Sequence, residues 1–118
     1  MNKLIVALTL GAVSLSLSSQ ALASGDAANG AALTKKYNCA ACHGADFKTP
    51  IDPSYPKLAG QHADYLVHAL TAYKRGNKVA NGRSNPIMAG MAQPLSDRDM
   101  ADIAAYLESL PGPLVSKR

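Results

Sequence analysis

Tryptophan is absent from this 118-residue chain and phenylalanine occurs once, so aromatic residues make up only 5% of it. A core built from these side chains is short of bulk, and something other than large aromatics must fill it. Charge is also sparse. Twelve Lys and Arg against eight Asp and Glu give +4 on a chain only 17% charged, which excludes a disordered polycation. The length excludes a two-lobed enzyme with an interdomain cleft and favours one small domain. Alternating runs of β-branched residues are missing, which argues against a sheet. No internal repeat is present, and nucleic-acid binding is not expected without a recognition motif.

The longest apolar run is confined to the N-terminus. Met1-Asn2-Lys3 precedes an apolar stretch from Leu4 to Leu17, then Ser18-Ser19-Gln20 and Ala21-Leu22-Ala23. That order predicts a cleaved secretory signal over 1–23 with an A-x-A site, because a spanning helix wants ~20 predominantly apolar residues and this run is shorter and interrupted. No other segment is long and apolar enough to span, so stable membrane insertion is not expected. A single domain over 24–118, in the periplasm, follows as the expectation. With 17 alanines in that span, its core is poor in large side chains.

What is present is helical in pattern. Asp26 to about Tyr37 is Ala-rich, with Leu33 and Tyr37 four residues apart. About Ala63 to Arg75 carries Tyr65, Leu66, Ala69, Leu70 and Tyr73 on one predicted face, and Gly76 ends it. Ser96-Asp97-Arg98-Asp99 is an N-cap signature ahead of Met100, Ile103, Ala104, Leu107 and Leu110, and Pro111-Gly112-Pro113 stops the run. The intervening Gly44 to Gly60 and Gly76 to Leu95 are rich in Gly and Pro and read as long irregular loops. Loops of that length in a small domain need an object to wrap around. The tail from Leu114, with Lys117 and Arg118, reads as frayed and solvated.

The only two cysteines lie in Cys39-Ala40-Ala41-Cys42-His43. A disulfide across two residues would close a very short loop and stabilise little. Zinc needs four ligands, and beyond this motif only His62 and His68 remain as nitrogen donors. A thioredoxin-like pair needs a βαβ setting that the pattern lacks. C-x-x-C-H is instead the spacing of covalent haem attachment. Two thiols three positions apart each form a thioether to one vinyl group, and the next residue sets an imidazole under the iron as proximal ligand. A buried macrocycle, at ~25 cal/mol per Å² of apolar surface, also supplies the missing core. The haem-free chain is therefore expected to be largely unfolded. For the sixth ligand, Met raises the potential relative to His. Candidates are Met88, Met91, Met100, His62 and His68. Met100 falls on the apolar stripe of the last helix, His62 precedes the second helix, and His68 lies off that helix's main apolar face. Met88 and Met91, in a Gly- and Pro-rich stretch, are hard to justify by packing, and one of them is the expected ligand.

At this point the chain resembles the class I c-type cytochromes, and is similar to the bacterial soluble monohaem c-five-five-three group and to single halves of the dihaem c-four cytochromes. The resemblance rests on Cys-Ala-Ala-Cys-His-Gly at 39–44, Tyr55-Pro-Lys-Leu-Ala-Gly-Gln61, Tyr65-Leu66, Met88-Ala-Gly-Met91, and Leu95-Ser-Asp97 leading to Ala104-Ala-Tyr106. Class II cytochromes differ in carrying the C-x-x-C-H near the C-terminus. The resemblance implies an all-α fold of about three main helices, with long loops around one haem c. It implies Met88 as distal ligand ahead of Met91, and the carbonyl of Pro56, with Pro53 as alternative, as acceptor for the second ring N–H of His43. It also implies a crossing of the first and last helices near Gly30 and Tyr106.

The expected function is an exported one-electron carrier between respiratory or dehydrogenase partners: an electron-transfer protein with no catalytic residue, monomeric. Lys35, Lys36, Lys48, Lys57, Lys74, Arg75, Lys78 and Arg83 fall in segments that flank the haem opening and could steer it to an acidic redox partner. The rival for these residues is a scatter of solvated cations. The alternatives for the whole protein are the haem subunit of a periplasmic dehydrogenase, and a haem enzyme or gas sensor with an open sixth position.

Overall fold

Two of the three long helices begin at a side chain that satisfies their orphan N–H groups. Asp26 caps α1 (Ala27–Lys36), its carboxylate accepting from the N–H of Ala28 and Asn29. Ser96 and Asp99 form a reciprocal capping box at the start of α5 (Asp97–Ser109). The C-x-x-C-H motif forms a short helix α2 (Ala40–His43), and α3 spans Ala63–Arg75 with Gly76 closing its C-terminus. The structure, a computed structural model, describes residues 24–113. The signal segment over 1–23, its cleavage site and the tail with Lys117 and Arg118 lie outside the described residues. Among the described residues every regular element is helical.

The segment from Gly76 to Leu95 departs from the expected loop. It holds a turn of 3-10 helix (Gly76–Lys78) and a two-turn helix α4 (Pro86–Ala92). Pro86 suits a first helical turn, where a missing N–H costs nothing, and the Asn85 side chain accepts from the N–H of Met88. Local capping chemistry therefore outweighs the Gly and Pro content. The segment from Gly44 to Gly60 does remain irregular, but it is tied down. Asp46 accepts from the N–H of Lys48 and Thr49, and the Phe47 carbonyl accepts from Leu58 and Ala59 at 2.7 and 3.0 Å.

The core joins Leu33 of α1, Leu66 of α3, and Met100, Ile103, Ala104 and Leu107 of α5. Phe47 is 3% exposed, and its ring meets the Tyr106 ring edge-on at 6.1 Å. Helices α1 and α5 cross at Gly30, where an added Cβ would lie 1.9 Å from the Asp102 carbonyl oxygen and 2.9 Å from the Tyr106 Cβ. Only a glycine lets the two backbones approach that closely. Asp102, 1% exposed, fixes the same crossing: its carboxylate accepts from the Asp26 N–H (2.7 Å), from Asn29 Nδ2 (2.7 Å) and from Arg98 Nε (3.0 Å).

On α3 the expected face is corrected. Leu66 is buried and Val67 and Leu70 pack against the core, but Tyr65 is 48% exposed. Tyr65 and Tyr73 instead flank the guanidinium of Arg83. An aromatic body with a polar tip gains a cation partner at the surface that burial would deny it.

Candidate functional site

The thiols and the imidazole are brought to one side by a single turn of chain. Asn38, in the left-handed region at φ 53°, ends the passage from α1, and the Cys39 N–H then donates to the Thr34 carbonyl. The N–H groups of Cys42 and His43 both donate to the Cys39 carbonyl, at 3.4 and 3.2 Å. Residues three and four apart on such a turn are surface neighbours, so Cys39, Cys42 and His43 share a face. Gly44 terminates the turn at φ 87°, and an added Cβ there would fall 2.1 Å from the Thr49 carbonyl oxygen. Both cysteines are half-buried, and no disulfide joins them. Burial pushes the Cys39 thiol up from its ordinary range, a hydrogen bond with its own backbone opposing the shift, so the neutral thiol is favoured.

His43 is the buried histidine of the three, 4% exposed. Its Nδ1 lies 2.9 Å from the carbonyl oxygen of Pro56. A carbonyl only accepts, so the proton is on Nδ1 and the Nε2 lone pair is left for a metal. The Tyr55 ring meets the imidazole edge-on at 6.2 Å and restricts its rotation. Pro53 is exposed and is not the partner of His43. Tyr55 was named only as part of a motif; sequence gave no separate signal for its contact with His43.

The other candidates are dispersed. His62 stands at the N-cap of α3, its Nδ1 3.8 Å from Glu108 Oε1, and His68 is exposed on α3. Met100 is 1% exposed in the core, as its place on the apolar stripe of α5 predicts. Met88 and Met91 lie three apart on α4, on neighbouring surface rather than in a loop. Burial separates them: Met88 is half-buried and Met91 is 36% exposed. Among the cations, Lys74 turns inward and donates to the Leu95 carbonyl, and Arg83 is held between two tyrosines.

No three His, Cys, Asp or Glu side chains among the described residues converge to hold a bare ion. The donor set fits a haem instead. Two thiols sit at the spacing of two vinyl groups, beside a preoriented imidazole with a free Nε2, and a thioether sulfur is available on α4.

Comparison with known proteins agrees with that fit. The profile of the cytochrome c family matches residues 27–111. The chain is 46% identical over 109 residues to cytochrome c4 of Pseudomonas aeruginosa, covering 92% of this chain and 49% of that one. It is 47% identical to cytochrome c-554(548) of Halomonas halodenitrificans, covering 72% of this chain and 96% of that one. The crystal structure of reduced recombinant cytochrome c4 from Pseudomonas stutzeri superposes with a TM-score of 0.63 at 43% identity, over 75% of this chain and 47% of that chain. Two further relatives are named thiosulfate dehydrogenase electron acceptor. The chain thus spans about half the length of the cytochrome c4 proteins it matches.

Proposed function

Because the chain belongs to the cytochrome c family and its cofactor is covalently attached haem c, we propose that it is an exported single-haem carrier, moving one electron at a time between redox proteins of the periplasm. Haem c supplies a one-electron iron couple, and the chain's own side chains hold and tune it. Cys39 and Cys42 provide the thioether sulfurs, and His43 Nε2 is the proximal ligand. The Pro56 carbonyl accepts from Nδ1–H, which orients the ring and makes Nε2 the better donor. Met88 Sδ is the distal ligand. Its half-buried position against the exposure of Met91 supports that choice, as does its place eight residues before Ser96 in the family pattern. The thioether raises the reduction potential relative to a second imidazole.

The observation that carries the reading is the buried His43, one bond from Cys42, with Nδ1 committed to Pro56 and Nε2 free. The test is the visible spectrum of the exported protein, oxidised and reduced, with and without carbon monoxide, beside Met88→Ala and Met91→Ala. Expected are a far-red band of ferric methionine ligation lost only in Met88→Ala, and no carbon monoxide shift in the native form. A native protein that lacks the band and binds carbon monoxide promptly has an open iron, which overturns the carrier reading in favour of a haem enzyme or sensor. N-terminal sequencing of the same preparation tests cleavage after Ala23.

The names of two relatives favour a dehydrogenase as one redox partner. A free carrier purifies as a monomer with salt-sensitive kinetics, whereas a resident haem subunit purifies with a catalytic chain.

A further inference from the structure

The core stripe of α3 runs past its last apolar residue. Val67 and Leu70 pack against the core, Thr71 Oγ1 donates to Met100 Sδ at 4.0 Å, and Lys74 continues the same side four residues after Leu70. Lys74 is not a solvated cation. It is half-buried, its aliphatic stem extends the apolar face, and its Nζ donates to the Leu95 carbonyl.

The same residue is engaged twice. Its backbone carbonyl accepts from Gln93 Nε2 at 2.8 Å, so the main chain and side chain of Lys74 together grip the joint between α4 and α5. The neighbouring bonds are local: the Gln93 N–H donates to the Ala89 carbonyl, the Leu95 N–H to that of Ala92, and the Ser96–Asp99 box closes the start of α5. The two bonds to Lys74 span 19 and 21 residues and tie the joint to α3.

Helix α4 depends on such ties. Its seven residues are too few for a helix to hold itself in water, so where it sits follows from what holds its ends. At its start, the Asn85 side chain accepts from the Met88 N–H, which orders the first turn but connects it to no other element. At its end, Ala92 is buried and Gln93 is bonded to Lys74. Met88 stands five residues before Gln93. That is about 7.5 Å along the helix axis, so a tilt of ~10° at a loosened joint moves its sulfur by about 1.3 Å. A coordinating group has to be held to within about 0.5 Å.

We propose that Lys74 is a positioning residue for the distal ligand: by gripping Gln93 and Leu95 it fixes α4 against α3 and keeps Met88 in place as the iron ligand. The inference rests on the Met88 reading above. It takes Lys74 out of the set of cations that steer a partner and gives it a part in holding the sixth ligand.

The test is a titration of the ferric, haem-loaded protein with imidazole, followed by the visible spectrum. Imidazole binds only where the methionine has left, so its apparent affinity reports the fraction of protein with that ligand released. Against the native protein, Lys74→Leu, which loses a charge-assisted bond, binds imidazole about tenfold tighter. Gln93→Leu, which loses a neutral bond at an exposed position, binds it about threefold tighter. Lys78→Gln, which removes an exposed charge of the same sign, leaves the affinity unchanged. In a Met88→Ala background, where nothing is left to displace, Lys74→Leu makes no difference. Two results overturn the proposal: native imidazole affinity in Lys74→Leu, or in Gln93→Leu should Lys74→Leu fail to take up haem; and the same tightening with Met88 and without it. A native protein that already binds imidazole as tightly as Met88→Ala overturns the Met88 reading itself, and the proposal with it.

Discussion

Helices α1 and α5 meet backbone to backbone, whereas α3 and α4 are joined by a segment whose cations have no acidic neighbours in sequence. At the first contact, charge is buried and compensated: Asp102 is 1% exposed and accepts from the N–H of Asp26, from Asn29 and from Arg98. At the second, Arg75 and Lys78 stay exposed and Arg83 is held by aromatic faces. A carboxylate removed from water costs several kcal/mol unless fully partnered, so it specifies one helix crossing and tolerates little change. An exposed cation specifies almost nothing in the fold, which leaves it free to act on what approaches. The fold is thus anchored at one side, and the exposed cations Arg75 and Lys78 lie at the other.

The largest effect separates these sides outright. With Cys39→Ser and Cys42→Ser together, haem is no longer retained after acid-acetone extraction, and the far-UV circular dichroism of the chain falls well below that of the haem-loaded protein. The small aliphatic core around Leu33, Ile103 and Leu107 is too little to order both sides without a macrocycle. A haem-free chain that still unfolds cooperatively, with native helix content, would show that the α1–α5 side is self-sufficient.

Next come paired glycine substitutions. Gly30→Ala forces a Cβ to within 1.9 Å of the Asp102 carbonyl oxygen, so the helices must separate, at roughly 3 kcal/mol or more in denaturant unfolding. Gly90→Ala on α4 meets no protein atom within 4 Å and replaces a poor helix former, so it causes no comparable loss. Equal losses at the two sites would erase the distinction between the sides.

Asp102 supplies a pH signature. Burial alone would raise its pKa, but the hydrogen bonds from Asn29 and the Asp26 N–H and the charge of Arg98 outweigh burial and hold it below the ordinary carboxylate value. A depressed folded pKa contributes stability that is present above the unfolded value, near ~3.9, and is lost as pH falls through the folded value. Asp102→Asn therefore lowers stability by about 2 kcal/mol at neutral pH, because one carboxylate oxygen becomes a donor facing donors. It also flattens the acid limb of stability against pH. An acid limb identical to that of the native protein would show that other carboxylates govern it.

Legibility followed the range of the interactions. The haem motif, the Met100 core position and all three long helices were readable because spacing, caps and periodicity are local; the Ser96 to Asp99 box lies wholly within four residues. Helix α4 was missed because Gly and Pro counts speak for a loop while one capping side chain, Asn85, and a proline at the first turn suffice for a helix. Tyr65 was placed on the core face because periodicity counts apolar character and cannot see Arg83, 18 residues on, competing for its ring. The Asp102 clamp was illegible for the same reason, its partners Asp26 and Asn29 being 76 and 73 residues away. Choosing between Met88 and Met91 by residue chemistry alone was impossible; their different burial depends on how α4 sits on α3.

The smallest effects on stability test the comparison most directly. Lys78→Gln, at an exposed position on the α3–α4 side, leaves unfolding within about 0.5 kcal/mol of the native protein. It nevertheless slows electron transfer with an acidic redox partner at low salt in stopped-flow measurements, and the difference closes as ionic strength approaches ~1 M, where the screening length is ~3 Å. Arg98→Gln is the mirror case. Its side chain is 57% exposed, but it pairs with the buried Asp102, so its removal lowers stability by about 0.5–1 kcal/mol after allowance for solvent screening and leaves the transfer rate unchanged. If both substitutions slow transfer alike, the positive field acts as a diffuse whole. If only Lys78→Gln does, the side that contributes least to holding the fold together is the one that meets the partner.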